Sequence, residues 1–445
     1  MIPATTSDGF LLALESKKRR SGQWHHLSAT ILELEGRMDP ASLRAAADAL
    51  AKRHPLLNAR ITRGKDFIAR WIPGDPLPCP LETSDRDESS DPARDARTFI
   101  EASKIDILKD GPNLELVALQ YGPDSWRLIL VWPHALFDAI GINKLISELD
   151  NLSTDRREDW GETSKTEGSP GGLWSEAKPM VEEMRTFPAW PIRSLHDKTR
   201  SPSDPRFEVF NFDRETSARI RTKMAGTAGE LLMLPYFASC AARAVHAVIC
   251  RRHPDEEAPI LLSLPVQRIA NPAKRPLFQN HMVAYSLLME PAELRNLGTA
   301  SKALYRKYAD FMRRKLPAAM EALMKLMERC PSFLYLKPAS FYLKGEICSL
   351  FHSHTGEFAP GVSELFGSRL LNGYHVPTVS SPPGIGIFFS EFDGQLSCTI
   401  STLNGTLTPD ERDLLVGTLL EDLGIEAATP EATAPPQACE PVHGS

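Results

Sequence analysis

The segment Val131-Trp132-Pro133-His134-Ala135-Leu136-Phe137-Asp138-Ala139 holds a histidine and an aspartate in His-x-x-x-Asp spacing. An imidazole with an unperturbed pKa of about 6.5 accepts a proton at neutral pH, whereas a hydroxyl or thiol must first be tuned. The chemistry on offer is therefore general-base catalysis by His134. Asp138 can orient the loop through backbone amides or pair with an arginine, and in either role it fixes the imidazole without relaying its proton. Taken alone the spacing is weakly specific, because it also describes a satisfied histidine near a helix start.

The neighbouring elements decide between these readings. Residues 126–132 read as a buried strand, and Ile142, Leu145, Ile146 and Leu149 carry helical spacing over 140–149, so His134 lies where strand becomes helix. Upstream, Leu34-Glu35-Gly36-Arg37-Met38-Asp39-Pro40 ends a strand and opens a helix, with Asp39 as cap and Pro40 at the first helical position. Leu43, Ala46, Ala47 and Leu50 form that helix's apolar stripe before the break at Pro55, and a strand is expected from Leu57.

In the second half, Ser263-Leu264-Pro265-Val266-Gln267-Arg268 precedes Pro276-Leu277-Phe278-Gln279-Asn280-His281. Residues 383–389 and 392–397 read as a hairpin turning at Asp393-Gly394, and Thr408 with Glu411 makes a capping box for a last helix. In this order, from Leu32 to about Leu423, the motifs resemble the chloramphenicol acetyltransferase-like superfamily. That superfamily includes the condensation domains of nonribosomal peptide synthetases and the plant and fungal acyltransferases bearing His-x-x-x-Asp. Residues 276–281 are similar to the condensation-domain segment Gly-x-Phe-Val-Asn.

The chain also departs from these patterns. Pro133 stands where condensation domains carry a first histidine, Ala139 replaces the glycine after the aspartate, with Gly141 displaced by two, and Pro276 replaces another glycine. The Asp-Phe-Gly-Trp-Gly motif of plant acyltransferases is absent. A free-standing acyltransferase fits better than a peptide-bond-forming domain. The arginine partner of Asp138 is open, with Asn58 at the condensation-domain position and Arg60 at the position of free-standing relatives.

The resemblance implies an α/β fold of two chloramphenicol-acetyltransferase-like sandwich subdomains with the active-site tunnel between them. It implies transfer of an acyl group from acyl-CoA to a hydroxyl or amine of a small molecule, with His134 as general base and Asp138 as its structural support. Ser353, in Phe351-His352-Ser353-His354-Thr355-Gly356, and Asn280 are the implied substrate-side residues, although Asn280 also reads as a buried amide tying two loops together. On the alternative reading of the segment 351–356, Ser353 is satisfied by local backbone and His352 or His354 lies at the surface. Acyl-CoA is a co-substrate, and no cofactor is bound permanently. Lys274, Arg275, Arg313, Arg314 and Lys315 are the cations available for its phosphates. An acyl carrier protein as donor is one alternative, and a catalytically degenerate binding module is another.

Length and composition bound the rest. The 445 residues, 42% hydrophobic, suffice for a large core in two subdomains, expected over 1–150 and 206–426, with a crossover at 151–205 and a disordered tail over 427–445. The net charge of -6 supplies no general attraction to nucleic acid, and the run Lys17-Lys18-Arg19-Arg20 reads as a solvated face. No stretch reads as a membrane span or signal peptide, so a cytoplasmic monomer is expected. The seven cysteines lack any Cys-x-x-Cys pair, and Cys240 and Cys398 read as small core residues. No metal is expected, because no third ligand of suitable spacing accompanies His134 and Asp138.

Overall fold

Two six-stranded mixed sheets, each covered by helices, organise the chain. The computed structural model describes residues 1–87, 90–153, 172–196, 204–229, 232–269, 271, 274–335 and 343–425. The expected tail at 427–445 lies outside these, as do 154–171 and 197–203 of the expected crossover. The part of the crossover within them carries a helix, Leu173–Met184, whose Leu173 and Ala177 pack on Ala322 of the helix Leu316–Glu328.

The first sheet runs in the order Glu364–Leu365, Ser368–Pro377, Leu27–Gly36, Ser125–Pro133, Glu115–Gln120, Leu81–Asp85. Its centre is the strand that ends at His134, paired antiparallel with Leu27–Gly36 from Leu27↔Pro133 to Glu35↔Ser125. Residues 128–131 of that strand are fully buried, so both of its faces are covered, which accounts for the unbroken apolar run in the sequence. The second sheet runs Met282–Met289, Ile260–Gln267, Leu350–Glu357, Ile385–Phe392, Gln395–Leu403, Pro205–Asn211.

The chain does not divide cleanly at its middle. Strand Ser368–Pro377 leaves the second half and pairs with Leu27–Gly36 over nearly its full length, completing the first sheet. The physical gain is that the edge of Leu27–Gly36 is paired instead of exposed. Two large apolar clusters follow the two sheets, and Leu277, Phe278 and Phe358 of the second half belong to the first cluster.

Local signals form the elements as read. Asp39 caps Pro40–Arg53 through the amides of Ala41 and Ser42, and Thr408 with Glu411 closes a capping box on Pro409–Leu423. Asp393 and Gly394 both take positive φ, at 45° and 77°, as a two-residue hairpin turn requires. The strand expected from Leu57 begins at Arg60 instead, because Pro55–Asn58 forms a 3-10 turn first. In contrast to the sequence reading, among the described residues one helix, Met233–Arg252, is long and apolar enough by length and composition to cross a membrane. Two-thirds of its most apolar window is buried in the second core.

Candidate active site

His134 leaves the end of the central strand and is followed by a short loop into the helix Ala139–Ser153. Three contacts set its ring. Its backbone amide donates to the His26 carbonyl at 3.1 Å. Ring Nδ1 lies 3.0 Å from the Phe137 carbonyl, and because a carbonyl only accepts, Nδ1 carries the ring proton and Nε2 keeps its lone pair. Trp132 meets the imidazole edge to face at 5.8 Å. Burial of the ring pulls its pKa below the ordinary 6.5, against the opposing effect of its backbone hydrogen bonds and the Asp138 charge. The neutral base form is thereby favoured.

Asp138 does not touch the imidazole. Its Oδ1 accepts from the amides of Ile140, at 3.0 Å, and Gly141, at 2.8 Å, so it caps the helix that follows the loop. The carboxylate favours that end of the helix dipole. Neither proposed arginine position serves it, since Asn58 is buried elsewhere and Arg60 is paired with Asp110. The displaced glycine has a steric reason: a Cβ at Gly141 would stand 2.5 Å from the Leu277 carbonyl. Ala139, where the condensation pattern has glycine, lines the cavity.

A cavity of about 150 Å³ opens between the two halves. Phe10, Leu11, Leu14, His26, Trp132, His134 and Ala139 contribute from the first half, and Ser263, Pro265, Met282, Ala284, Phe351, Ser353 and Phe388 from the second. His375, Pro377, Thr378 and Val379 arrive on the exchanged strand and the turn after it. Ser353 is thus on the wall of the cavity that holds His134. The lining is mostly apolar, with a few polar groups, as small-molecule sites are.

Asn280 takes a different place. It is buried and absent from the cavity lining, and its Nδ2 donates to the carbonyls of His134, at 2.9 Å, and Ala135, at 3.1 Å. Its backbone amide and Nδ2 also donate to Asp8 Oδ1, at 2.9 and 3.1 Å. It joins the loop of His134 to the N-terminal helix, Thr6–Arg20, and to the second half. The bridge Phe137↔Gln279, and the Gln279 amide donating to the Leu136 carbonyl at 2.7 Å, complete the seam.

Asp8 escaped the sequence reading. It is fully buried and also accepts from Trp71 Nε1 at 3.0 Å and from the Thr5 amide. Burial raises its carboxyl pKa against these hydrogen bonds. The available signal was the Thr5-x-x-Asp8 capping box ahead of Leu11, Leu12 and Leu14.

Two expectations are corrected. The run Lys17 to Arg20 is not a solvated face: Lys18 is fully buried and donates from Nζ to the Val379 carbonyl at 3.1 Å, while Arg19 bridges Glu15 and Asp106. Lys18 follows Leu11 and Leu14 at helical spacing, which places it on the buried stripe beside the cavity. His352 and His354 are not surface residues either. His352 is buried, and His354 stacks on Phe237 with Nε2 3.3 Å from Glu391. Of the cations considered for coenzyme A, Arg313 pairs with Asp310, Arg314 reaches Glu183 and Asp310, and Arg275 donates to the Ile269 carbonyl.

No protein-family model matches the sequence, and no curated protein matches it. Solved structures do match in fold. Trichothecene 15-O-acetyltransferase from Fusarium sporotrichioides superposes with a TM-score of 0.69 at 12% identity, over 95% of this chain and 94% of that one. The first condensation domain of the calcium-dependent antibiotic synthetase, in complex with a substrate analogue, gives 0.63 at 13% identity over 95% of each. The starter condensation domain of rhizomide synthetase, in complex with C8-CoA and Leu-SNAC, gives 0.62 at 14% identity over 95% and 94%. The chain shares the fold of these structures across nearly its whole length.

Proposed function

We propose that this chain transfers an acyl group from an acyl-coenzyme A thioester to a hydroxyl or amine of a small molecule, with His134 as the general base. The observation that carries this reading is the orientation of His134 at the cavity between the halves, with Nδ1–H spent on Phe137 and Nε2 left as the basic nitrogen. Nε2 takes the proton of the acceptor as its oxygen or nitrogen attacks the thioester carbonyl. The tetrahedral adduct collapses by breaking the C–S bond, and the imidazolium returns the proton to the departing thiolate. Asp138 holds the loop by capping its helix, and Asn280 holds it from the second half by binding the His134 carbonyl. Ser353 is a hydroxyl available to the substrate from the opposite wall.

Likeness of fold to an O-acetyltransferase, and to a condensation domain with an acyl-coenzyme A bound, supports this class of reaction. Likeness to condensation domains equally suggests a carrier-protein thioester as donor. The test is release of free thiol from a panel of acyl-coenzyme A donors with pooled alcohols and amines, comparing wild type with His134→Ala. Acceptor-dependent release that falls by roughly two to four orders of magnitude in the variant is the expected result. Turnover only with carrier-bound donors would move the reaction to the second reading. Turnover unaffected by the substitution would refute the role of His134.

A further inference from the structure

We infer that His375 binds the oxyanion in this reaction, its Nε2–H donating to the thioester carbonyl oxygen as negative charge gathers there. The inference rests on the acyl-transfer reading and goes beyond it in assigning a second catalytic histidine in the same cavity. His375 sits on the exchanged strand Ser368–Pro377 and lines the same cavity as His134. It is 7% exposed, and its Nε2 has no hydrogen-bond partner among the described residues, an unfavourable state for a buried polar atom unless a ligand supplies one.

Its tautomer follows from counting protons. Trp132 Nε1–H can only donate, and it does so to Thr30 Oγ1 at 2.9 Å. Among the described residues His375 Nδ1, at 3.0 Å, is the acceptor within reach of the Thr30 proton, and pairing them leaves no buried hydroxyl proton unmet. With Nδ1 accepting, the ring proton is on Nε2. His134 is held in the opposite tautomer by the Phe137 carbonyl. Both rings stand edge to face on Trp132, at 5.8 Å for His134 and 6.4 Å for His375, so one tryptophan packs against both histidines of the cavity. Burial, reinforced by the nearby His134, pushes the pKa of His375 down to about 3, so the donor is a neutral imidazole throughout the working range. A pre-aligned N–H in a low-dielectric site stabilises developing charge without reorganising.

Two measurements test this. Ring-nitrogen NMR, with the signal assigned through its loss in His375→Met, should show His375 as the Nε2–H tautomer down to pH 5; an Nδ1–H tautomer would overturn the inference whatever the activity. In the thiol-release assay, His375→Met should lower kcat roughly 100- to 1000-fold with KM within about threefold. His375→Gln, which keeps an N–H donor, should recover part of the loss. The strand keeps a second anchor in both variants, because the His375 carbonyl accepts from Thr399 Oγ1 at 2.9 Å. If turnover needs His134 but His375→Met, melting as wild type, keeps kcat within threefold, the inference falls and the general-base reading stands. If turnover is indifferent to His134→Ala, both fall.

Discussion

Gly141→Ala measures how tightly the helix behind His134 is pressed onto the second half of the chain. The new Cβ would lie 2.5 Å from the Leu277 carbonyl, closer than real Cβ contacts come, and the obstacle is backbone, not a flexible side chain. Leu277 cannot retreat freely, since it is buried and the Gln279 amide two residues on is tied to the Leu136 carbonyl at 2.7 Å. Either the helix or the seam must open by about half an ångström, and overpacking of this kind costs about 1–3 kcal/mol. Because φ of Gly141 is not positive, alanine meets no backbone strain there, and its better helix propensity returns up to about 1 kcal/mol. With backbone as the obstacle the upper part of that range, about 2–3 kcal/mol, applies, and less the propensity gain the net expectation is a loss of about 1–2 kcal/mol. The control is Gly417→Ala in the helix Pro409–Leu423, where an added Cβ meets nothing within 4 Å. There the propensity gain stands alone, a stabilisation of up to about 1 kcal/mol. Thermal and urea unfolding of the two variants should therefore move in opposite directions. Gly141→Ala as stable as the wild type would refute the close approach and, with it, the steric account of the displaced glycine.

The acidic limb of kcat/KM should lie below the ordinary imidazole value of 6.5, because burial disfavours imidazolium and keeps His134 basic further into acid; a limb above 6.5 would contradict this. Glu15 is buried, which works to raise its pKa, but hydrogen bonds from His25, the His26 amide and Arg19 outweigh burial and hold it at about 2. A carboxylate depressed from 4.5 contributes stability that is complete above pH 4.5 and lost as pH falls towards 2. Glu15→Gln should thus destabilise the protein by on the order of 3 kcal/mol at pH 7, with the difference from wild type shrinking towards zero near pH 2, as read by denaturant unfolding across that range.

Local chemistry was legible from the sequence because its signals act within a turn or two. The His134 loop, the cap at Asp39, the Asp393-Gly394 turn and the Thr408 box each depend on residues fewer than about ten apart. Each appears where those residues place it. The N-terminal helix carried an equally local signal in Thr5 and Asp8, and the Leu11, Leu14, Lys18 spacing pointed Lys18 inward despite its charge. Position in a basic run was the weaker indicator, since a lysine can be buried where its ammonium finds a carbonyl, here that of Val379.

The sequence by itself determined that a basic histidine would leave a buried strand just ahead of a helix, and in what order the flanking elements would follow. Tertiary structure alone decided what surrounds that histidine. Asn280 reaches the His134 carbonyl across 146 positions and Asp8 across 272, and His375 arrives beside Trp132 only because strand Ser368–Pro377 crosses to the first sheet. Hydrogen bonds of that span leave no periodicity in the chain. They are selected when two apolar faces close and every polar group caught between them must find a partner from whichever segment packing has brought near.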